Sequence, residues 1–432
     1  MTAPVMAGRN SALMDRAKRL FPGGVNSPVR AFRSVGRAPL VLERGAGPHV
    51  WDADGRRYVD YIGAWGPAIL GHAHPKVIDA IIAASAGGIA LGATHPSEVA
   101  LGEAIQAAVP SMERLRFTSS GTEAVMSALR VARAATGRHL VVKFAGAYHG
   151  HSDALLVEAG SGLATLAISG SAGVPAEVAA TSIVLPFNDR AAVTAAFAQH
   201  PSAIAAVIVE PVVANSGVIA PAPGFLEHLR TATQAAGALL VFDEVITGFR
   251  LGLGGAQARF DVTPDLTTLG KVIGGGMPIG AYGGRADVMD LIAPLGPVYQ
   301  AGTLSGHPLS MAAGLATLAE LSSDRYADLE ARAATLASEL SRLASGAGVS
   351  ASVARVGPLL TVFFRSEAPT NGQEALESDR GAYATFFGAM LDAGVLLPPS
   401  QFEAWFPSMA HGDAEIDATL AAAATAFARV AA

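Results

Sequence analysis

One lysine in a glycine-rich stretch has the chemistry of an amine nucleophile. Lys271 ends the apolar run DLTTLGK (265–271) and stands ahead of three consecutive glycines at 274–276. An amine withdrawn from water at a strand end is favoured in its neutral form, which is the form that attacks a carbonyl to give a Schiff base. The glycines permit close approach of a bound group, although they also suit an ordinary turn. We therefore predict a Schiff-base lysine, with a surface or structural lysine as the alternative.

Carboxylates end two further apolar runs. The run ALLVFDE (238–244) ends in Asp243 and Glu244, and AIAAVIVE (203–210) ends in Glu210. A buried carboxylate has to be paired, because an isolated charge in an apolar site is too costly. One interpretation is an ion pair with an arginine. The other is that Asp243 holds the cationic nitrogen of a pyridinium ring that serves as an electron sink.

A possible anion site begins a helix. The motif SSGTEAVMSALRVARAATG (119–137) follows a short apolar strand and carries apolar residues at helical spacing from 125 to 132. Ser120, Gly121 and Thr122 then fall at the helix N-terminus, where free N–H groups and the helix dipole favour a phosphate. Ordinary capping by serine and threonine is the alternative interpretation.

The elements around these residues indicate an α/β fold. Short apolar runs alternate with helical stretches from about 100 to 315, which is typical of a mainly parallel sheet with helices on both faces. Ligands bind at the carboxyl ends of such strands, so the three strand ends are expected to meet. We predict an N-terminal segment (1–70) with a β-hairpin, a large catalytic domain (71–315) and a smaller α+β domain (316–432).

Composition excludes several classes of protein. The net charge of −6 is scattered along 432 residues without a basic block, which argues against nucleic acid as a partner. The absence of cysteine removes disulfides, thiolate metal sites and cysteine nucleophiles. With neither a signal-peptide core nor about 20 consecutive apolar residues, we expect a cytoplasmic protein with no membrane partner. The histidine pairs at 72 and 74 and at 149 and 151 lack further ligands, so no metal is predicted.

The anion site, the aspartate and the lysine, in that order, resemble the fold-type I pyridoxal 5'-phosphate enzymes, specifically the class III aminotransferases. This resemblance implies a large domain with a mainly parallel seven-stranded sheet. The resemblance covers essentially the whole chain, and the segments SPVRAF, SGLAT and VYQAGTLSG resemble its aminomutase branch. The segments that carry it are FPGGVNSPVRAF (21–32), SSGTEA (119–124), AYHGHSD (147–153), SGLATLAISGSAGVP (161–175), DEVITGFR (243–250), GKVIGGGMPIGAYGG (270–284), GPVYQAGTLSG (296–306) and PSQFEAWF (399–406).

The resemblance implies a role for individual residues. Lys271 would form the Schiff base and shuttle protons, Asp243 would pair with the pyridinium nitrogen, and Tyr148 would stack on the ring. The other implied cofactor contacts are Ser120, Gly121, Thr122, His149, Asn215, Val245 and Thr303. The implied substrate contacts are Ser27, Arg30, Trp65, Ser161, Tyr299 and Glu403. Thr303 and Tyr299 would come from the second subunit of a homodimer, and Arg30 suits a substrate carboxylate. Segment 157–175 would be a mobile lid.

The implied reaction is an internal amine exchange that converts glutamate-1-semialdehyde to 5-aminolevulinate through 4,5-diaminovalerate, in tetrapyrrole (porphyrin) biosynthesis. The cofactor would pass through its pyridoxamine 5'-phosphate form. The alternative is a class III transaminase that uses a separate donor, such as an ω-amino acid, and a separate acceptor. A non-catalytic binding protein and a dinucleotide enzyme fit less well, because the cofactor residues are present and no dinucleotide fingerprint is found. Ser119, Ala145 and His307 depart from the family pattern.

Overall fold

The structure is a computed structural model that describes residues 8–157 and 170–432. Its strands are β1 (Leu42–Ala46), β2 (His49–Asp52), β3 (Arg57–Asp60), β4 (Arg114–Thr118), β5 (Leu140–Phe144), β6 (Ser182–Leu185), β7 (Ile204–Val209), β8 (Leu239–Asp243), β9 (Leu266–Gly270), β10 (Gly280–Gly284), β11 (Ser352–Val356), β12 (Leu359–Phe363) and β13 (Val395–Leu396).

Helices flank these strands along the described chain. The α-helices are α1 (Arg9–Leu20), α2 (Pro75–Ala86), α3 (Pro96–Ala108), α4 (Gly121–Thr136), α5 (Ala176–Ala179), α6 (Arg190–Gln199), α7 (Phe225–Ala236), α8 (Gly255–Phe260), α9 (Ala286–Met289), α10 (Pro308–Leu318), α11 (Ser323–Gly346), α12 (Gly372–Leu376), α13 (Arg380–Asp392) and α14 (Asp413–Ala431). None of the helices described in residues 8–157 and 170–432 has the length and apolar character needed to cross a membrane.

The central sheet has seven strands in the order β4-β10-β9-β8-β7-β5-β6. Only β10 runs antiparallel to its neighbours β4 and β9, and the remaining pairs are parallel. Every residue of β7, β8 and β9 is buried, because helices cover both faces of the sheet. Along β7, Val207 and Val209 pack with α7, whereas Ala206 and Ile208 pack with α4. The predicted α/β fold with a mainly parallel seven-stranded sheet is therefore confirmed.

A second sheet joins the two ends of the chain. Strands β1, β2 and β3 form antiparallel pairs, and β13 pairs in parallel with β3. Tyr58 of β3 and Tyr61, which follows that strand, share one hydrophobic core with Leu336 of α11, Phe386 of α13 and Phe427 of α14. The N-terminal segment therefore packs on C-terminal elements, while the domain limits at 70 and 315 remain a prediction.

Candidate active site

The carboxyl ends of β7, β8 and β9 meet the N-terminus of α4 at one cavity of about 370 Å³. The neighbouring strands are parallel, so the residues that follow them emerge at the same edge of the sheet. Nine of the residues predicted to bind the cofactor line this cavity: Ser120, Gly121, Thr122, Tyr148, His149, Asn215, Asp243, Val245 and Lys271. The cavity therefore collects side chains from five separate stretches of the sequence.

Lys271 follows β9 directly and has a positive φ of 48°, which turns the chain sharply at the end of the strand. Its aliphatic stem runs along Gly66, where an added Cβ would lie 3.0 Å from Lys271 Cδ. Burial lowers the pKa of the Lys271 amine, although the carboxylates of Asp243, Glu210 and Glu403 oppose that shift. The neutral amine is therefore favoured relative to an exposed lysine, as a carbonyl nucleophile requires.

Asp243, the last residue of β8, is a buried carboxylate held from three directions. Its Oδ2 lies 2.7 Å from His149 Nδ1, and its Oδ1 accepts hydrogen bonds from Thr268 Oγ1 and from the Val245 amide, each at 3.1 Å. The alternative of an ion pair with arginine does not hold among residues 8–157 and 170–432, where the ion-pair partner of Asp243 is His149. A buried anion oriented in this way suits a cationic partner within the cavity.

Glu210, which follows β7, organises a further part of the cavity wall. Its carboxylate accepts hydrogen bonds from the Tyr148 amide at 2.8 Å, the Ala214 amide at 3.0 Å and Asn215 Nδ2 at 3.0 Å from both oxygens. Burial raises the pKa of Glu210, while His149 and the main-chain donors counteract that shift. Glu210 thus fixes the positions of two predicted cofactor contacts, Tyr148 and Asn215.

The start of α4 is capped by its own side chains and also opens into the cavity. Ser120 Oγ accepts a hydrogen bond from the Glu123 amide at 3.2 Å, and the Glu123 carboxylate accepts one from the Ser119 amide at 2.6 Å. The capping interpretation therefore holds for Ser120. Gly121 and Thr122 line the same cavity, so the capped end remains a possible phosphate site.

Val245 lies between two glycines whose lack of a side chain leaves room for it. An added Cβ at Gly121 would lie 3.1 Å from Val245 Cγ1, and one at Gly270 would lie 3.2 Å from the same methyl carbon. Tyr148, which lines the same cavity, is 40% exposed. Burial raises the Tyr148 pKa, and a hydrogen bond with Thr122 opposes that shift. The cavity wall thus offers an aliphatic and an aromatic side chain, both of which suit contact with a flat ring.

The predicted substrate contacts do not line the cavity within the described residues. Trp65 precedes Gly66 in a turn that borders it, Arg30 is exposed in a 3-10 helix (Pro28–Ala31) that follows Ser27, and Glu403 is buried. Glu403 acts electrostatically on both Lys271 and Tyr148, so it lies near the site.

The two residues assigned to a partner subunit lie on the surface. Tyr299 is 72% exposed, and Thr303 lines a different cavity with Leu91 and Leu304. Ser161 and the greater part of the predicted lid fall outside the described residues.

Sequence reasoning missed part of the cavity wall. The position of Glu210 at a strand end marked it as a candidate, but its hydrogen bonds to the Tyr148 amide and to Asn215 were not predicted. Pro67, Met277 and Ile279 also line the cavity and carry no chemical signal of their own. Two of the three departures from the family pattern, Ser119 and Ala145, each donate a hydrogen bond through the main-chain amide. The third, His307, immediately precedes α10.

The donor set fits a phosphorylated pyridine cofactor. An amine with a lowered pKa, a buried carboxylate, a helix N-terminus and a cradle formed by Gly121, Gly270 and Val245 surround one cavity. Together with the seven-stranded sheet, they define a pyridoxal phosphate enzyme of fold type I.

The chain belongs to the class III aminotransferase family, because the model of that family, "Aminotransferase class-III", matches residues 32–426. The chain is 57% identical over 429 residues to a glutamate-1-semialdehyde 2,1-aminomutase of Thermomicrobium roseum, covering 99% of this chain and 100% of that protein. The predicted family resemblance is confirmed.

Solved structures show the same fold in enzymes of both kinds. An omega-transaminase from Sphaerobacter thermophilus superposes with a TM-score of 0.91 at 32% identity, covering 99% of this chain and 98% of that one. A glutamate-1-semialdehyde-aminomutase variant from Pseudomonas aeruginosa PAO1, in complex with PMP, gives 0.87 at 28% identity, covering 98% and 94%. Backbone shape therefore does not separate the two activities.

Proposed function

We propose that this protein is an isomerase that converts glutamate-1-semialdehyde to 5-aminolevulinate, through 4,5-diaminovalerate, in tetrapyrrole biosynthesis. The observation that carries the chemistry is the cavity in which the Lys271 amine and the Asp243 carboxylate emerge from adjacent strands. The choice of an internal amine exchange over transfer between two substrates is supported by identities of 54–57%, over nearly the whole chain, to aminomutases from several organisms.

The residues on the cavity wall divide the binding of pyridoxal 5'-phosphate among them. Gly121 and Thr122 would offer the helix start to the phosphate, and Val245 and Tyr148 would contact the ring. Asp243, which is hydrogen-bonded to His149, would pair with the ring nitrogen. When bound, the cofactor would supply an electron sink and a carrier for the amino group.

Lys271 is the group that moves protons. Burial lowers the pKa of Nζ, so a larger fraction of the amine is unprotonated than in an exposed lysine and can accept a proton from one substrate carbon and return it at a neighbouring carbon. Product and substrate are isomers: the amino group gained at the aldehyde carbon balances the one lost from the adjacent position. No external amino donor is consumed.

The substrate side of the site is proposed from the family resemblance. Arg30 binds the substrate carboxylate, with Ser27, Trp65, Glu403 and Ser161 as further contacts. Replacing Arg30 with alanine should raise KM with a smaller effect on kcat, because binding of a remote carboxylate contributes to both substrate and transition state. Arg33→Ala is the matched control, since Arg33 is also exposed and lies one turn further along.

The reaction is tested with a single substrate. Purified protein loaded with pyridoxal or pyridoxamine phosphate is incubated with glutamate-1-semialdehyde and no other amine or keto acid, and 5-aminolevulinate is measured. Formation of product by the natural protein but not by Lys271→Ala supports the proposal. Turnover that occurs only with a separate ω-amino acid donor and keto acid acceptor would favour the transaminase instead.

We further propose that the protein works as a cytoplasmic homodimer whose sites lie at the subunit interface, with Thr303 and Tyr299 reaching the partner's cavity. Exposed large apolar side chains support this, since Val99 and Leu295 line one surface cavity and Leu91 and Leu304 line another. A clustered apolar surface of this kind favours association. Sedimentation should give a dimer, and a catalytically active monomer would overturn the proposal.

A further inference from the structure

Arg250 is a buried arginine with an unusual set of partners. It is 1% exposed and ends the segment DEVITGFR that begins with Asp243. Its Nη1 donates to the Pro407 carbonyl at 2.9 Å and its Nη2 donates to the Gly66 carbonyl. Nε has no hydrogen-bond partner among the described residues. One guanidinium thus joins main-chain groups from the N-terminal and C-terminal parts of the chain, and we call this pair of hydrogen bonds the Arg250 clasp.

The Gly66 end of this clasp forms part of the wall beside the lysine. Gly66 has a φ of 121°, and an added Cβ there would lie 3.0 Å from Lys271 Cδ and 3.2 Å from Phe406 Cε1. Phe406 precedes Pro407, and its ring lies 5.6 Å from the Arg250 guanidinium. The Lys271 stem is therefore confined by a turn whose carbonyl Arg250 holds.

The turn at 64–67 also contains strained backbone. Ala64 and Trp65 have φ values of 54° and 70°, in the left-handed region that side chains disfavour. Residues in this conformation persist only where the surroundings impose it. The hydrogen bond from Arg250 to the Gly66 carbonyl helps to impose this backbone conformation, because Gly66 lies between Trp65 and the cavity residue Pro67.

We infer that Arg250 is a positioning residue that holds the turn at 64–67 against Lys271 and so fixes where the lysine amine lies in the cavity. This inference rests on the proposed function for its kinetic readout only. A guanidinium suits the task because its planar fork carries several donors in a fixed geometry. Burial lowers the Arg250 pKa to about 10, so the clasp remains cationic at neutral pH.

The test compares Arg250→Met, which keeps the length but loses the donors, with Arg250→Lys, which keeps the charge. Arg259→Met is the matched control, since Arg259 is an exposed arginine paired with Glu330 away from the cavity. Two readouts need no turnover: hydrogen exchange of residues 61–71 and 403–411 in cofactor-free protein, and the rate at which that protein attaches added pyridoxal 5'-phosphate to Lys271, followed by absorbance.

Arg250→Met should speed exchange in both segments and slow attachment, and should lower kcat by up to about 100-fold with little change in KM, as expected for a misplaced catalytic group. Arg250→Lys should recover part of each loss, and Arg259→Met should resemble the natural protein. If Arg250→Met does not fold, Arg250→Gln replaces it.

A purely structural role would lower the melting temperature but leave attachment rate and kcat per folded molecule unchanged, and that result would overturn the inference. Natural protein that attaches the cofactor normally yet makes no 5-aminolevulinate would instead refute the proposed function. The exchange and attachment measurements would still decide the role of Arg250 in that case.

Discussion

Replacing His149 with phenylalanine tests how the ring-nitrogen partner is held. His149 is fully buried, Asp243 is 4% exposed, and 2.7 Å separates Nδ1 from Oδ2. A hydrogen bond to a charged group contributes about 1.5–3 kcal/mol. Phenylalanine keeps the ring and removes that bond, so the Asp243 carboxylate loses its fixed orientation. Because each 1.4 kcal/mol corresponds to about tenfold in affinity, the cofactor dissociation constant should rise about 10- to 150-fold.

The assay is an equilibrium titration of cofactor-free protein with pyridoxal 5'-phosphate, followed by the absorbance of the bound form. His139→Phe is the control, because His139 is exposed and immediately precedes β5, at the amino-terminal end of that strand and therefore away from the cavity. Thermal melting of both variants checks that they are folded. An unchanged dissociation constant in folded His149→Phe would refute the reasoning, since Thr268 and the Val245 amide would then suffice to orient Asp243.

Three further predictions concern stability. Burial lowers the Lys271 pKa, so folding stability is highest above the usual lysine pKa, where the amine is neutral in both states, and falls as pH decreases through the lowered value. Lys271→Met removes this loss and should raise the melting temperature of cofactor-free protein at neutral pH. A gain that persists at strongly alkaline pH would contradict this explanation. Glu210→Gln puts an amide donor among groups that already donate and should cost about 1–3 kcal/mol in urea unfolding, whereas an unchanged midpoint would argue against the network. Leu336→Ala, in the core of α11, should cost about 2–5 kcal/mol by the same measurement, and a smaller loss would mean that the core closes around the gap.

The sequence by itself determined the α/β fold and most of the cofactor contacts. Apolar runs that end in Glu210, Asp243 and Lys271 are local patterns, and parallel strands with right-handed connections bring their carboxyl ends to one edge. The short distances in sequence between strand, turn and helix also placed Ser120 to Thr122 at a helix start. These features depend on periodicity and neighbouring residues, which a sequence displays directly.

Only the tertiary structure decided which groups hold those residues in place. The pairing of Asp243 with His149 joins residues 94 positions apart, and the Arg250 clasp reaches 184 positions to Gly66 and 157 to Pro407. Nothing in the local pattern around Arg250 distinguishes it from a solvated arginine, because its burial depends on how the two ends of the chain pack together. The lowered pKa of Lys271 likewise comes from desolvation, which is a property of the assembled cavity and not of the sequence around the lysine.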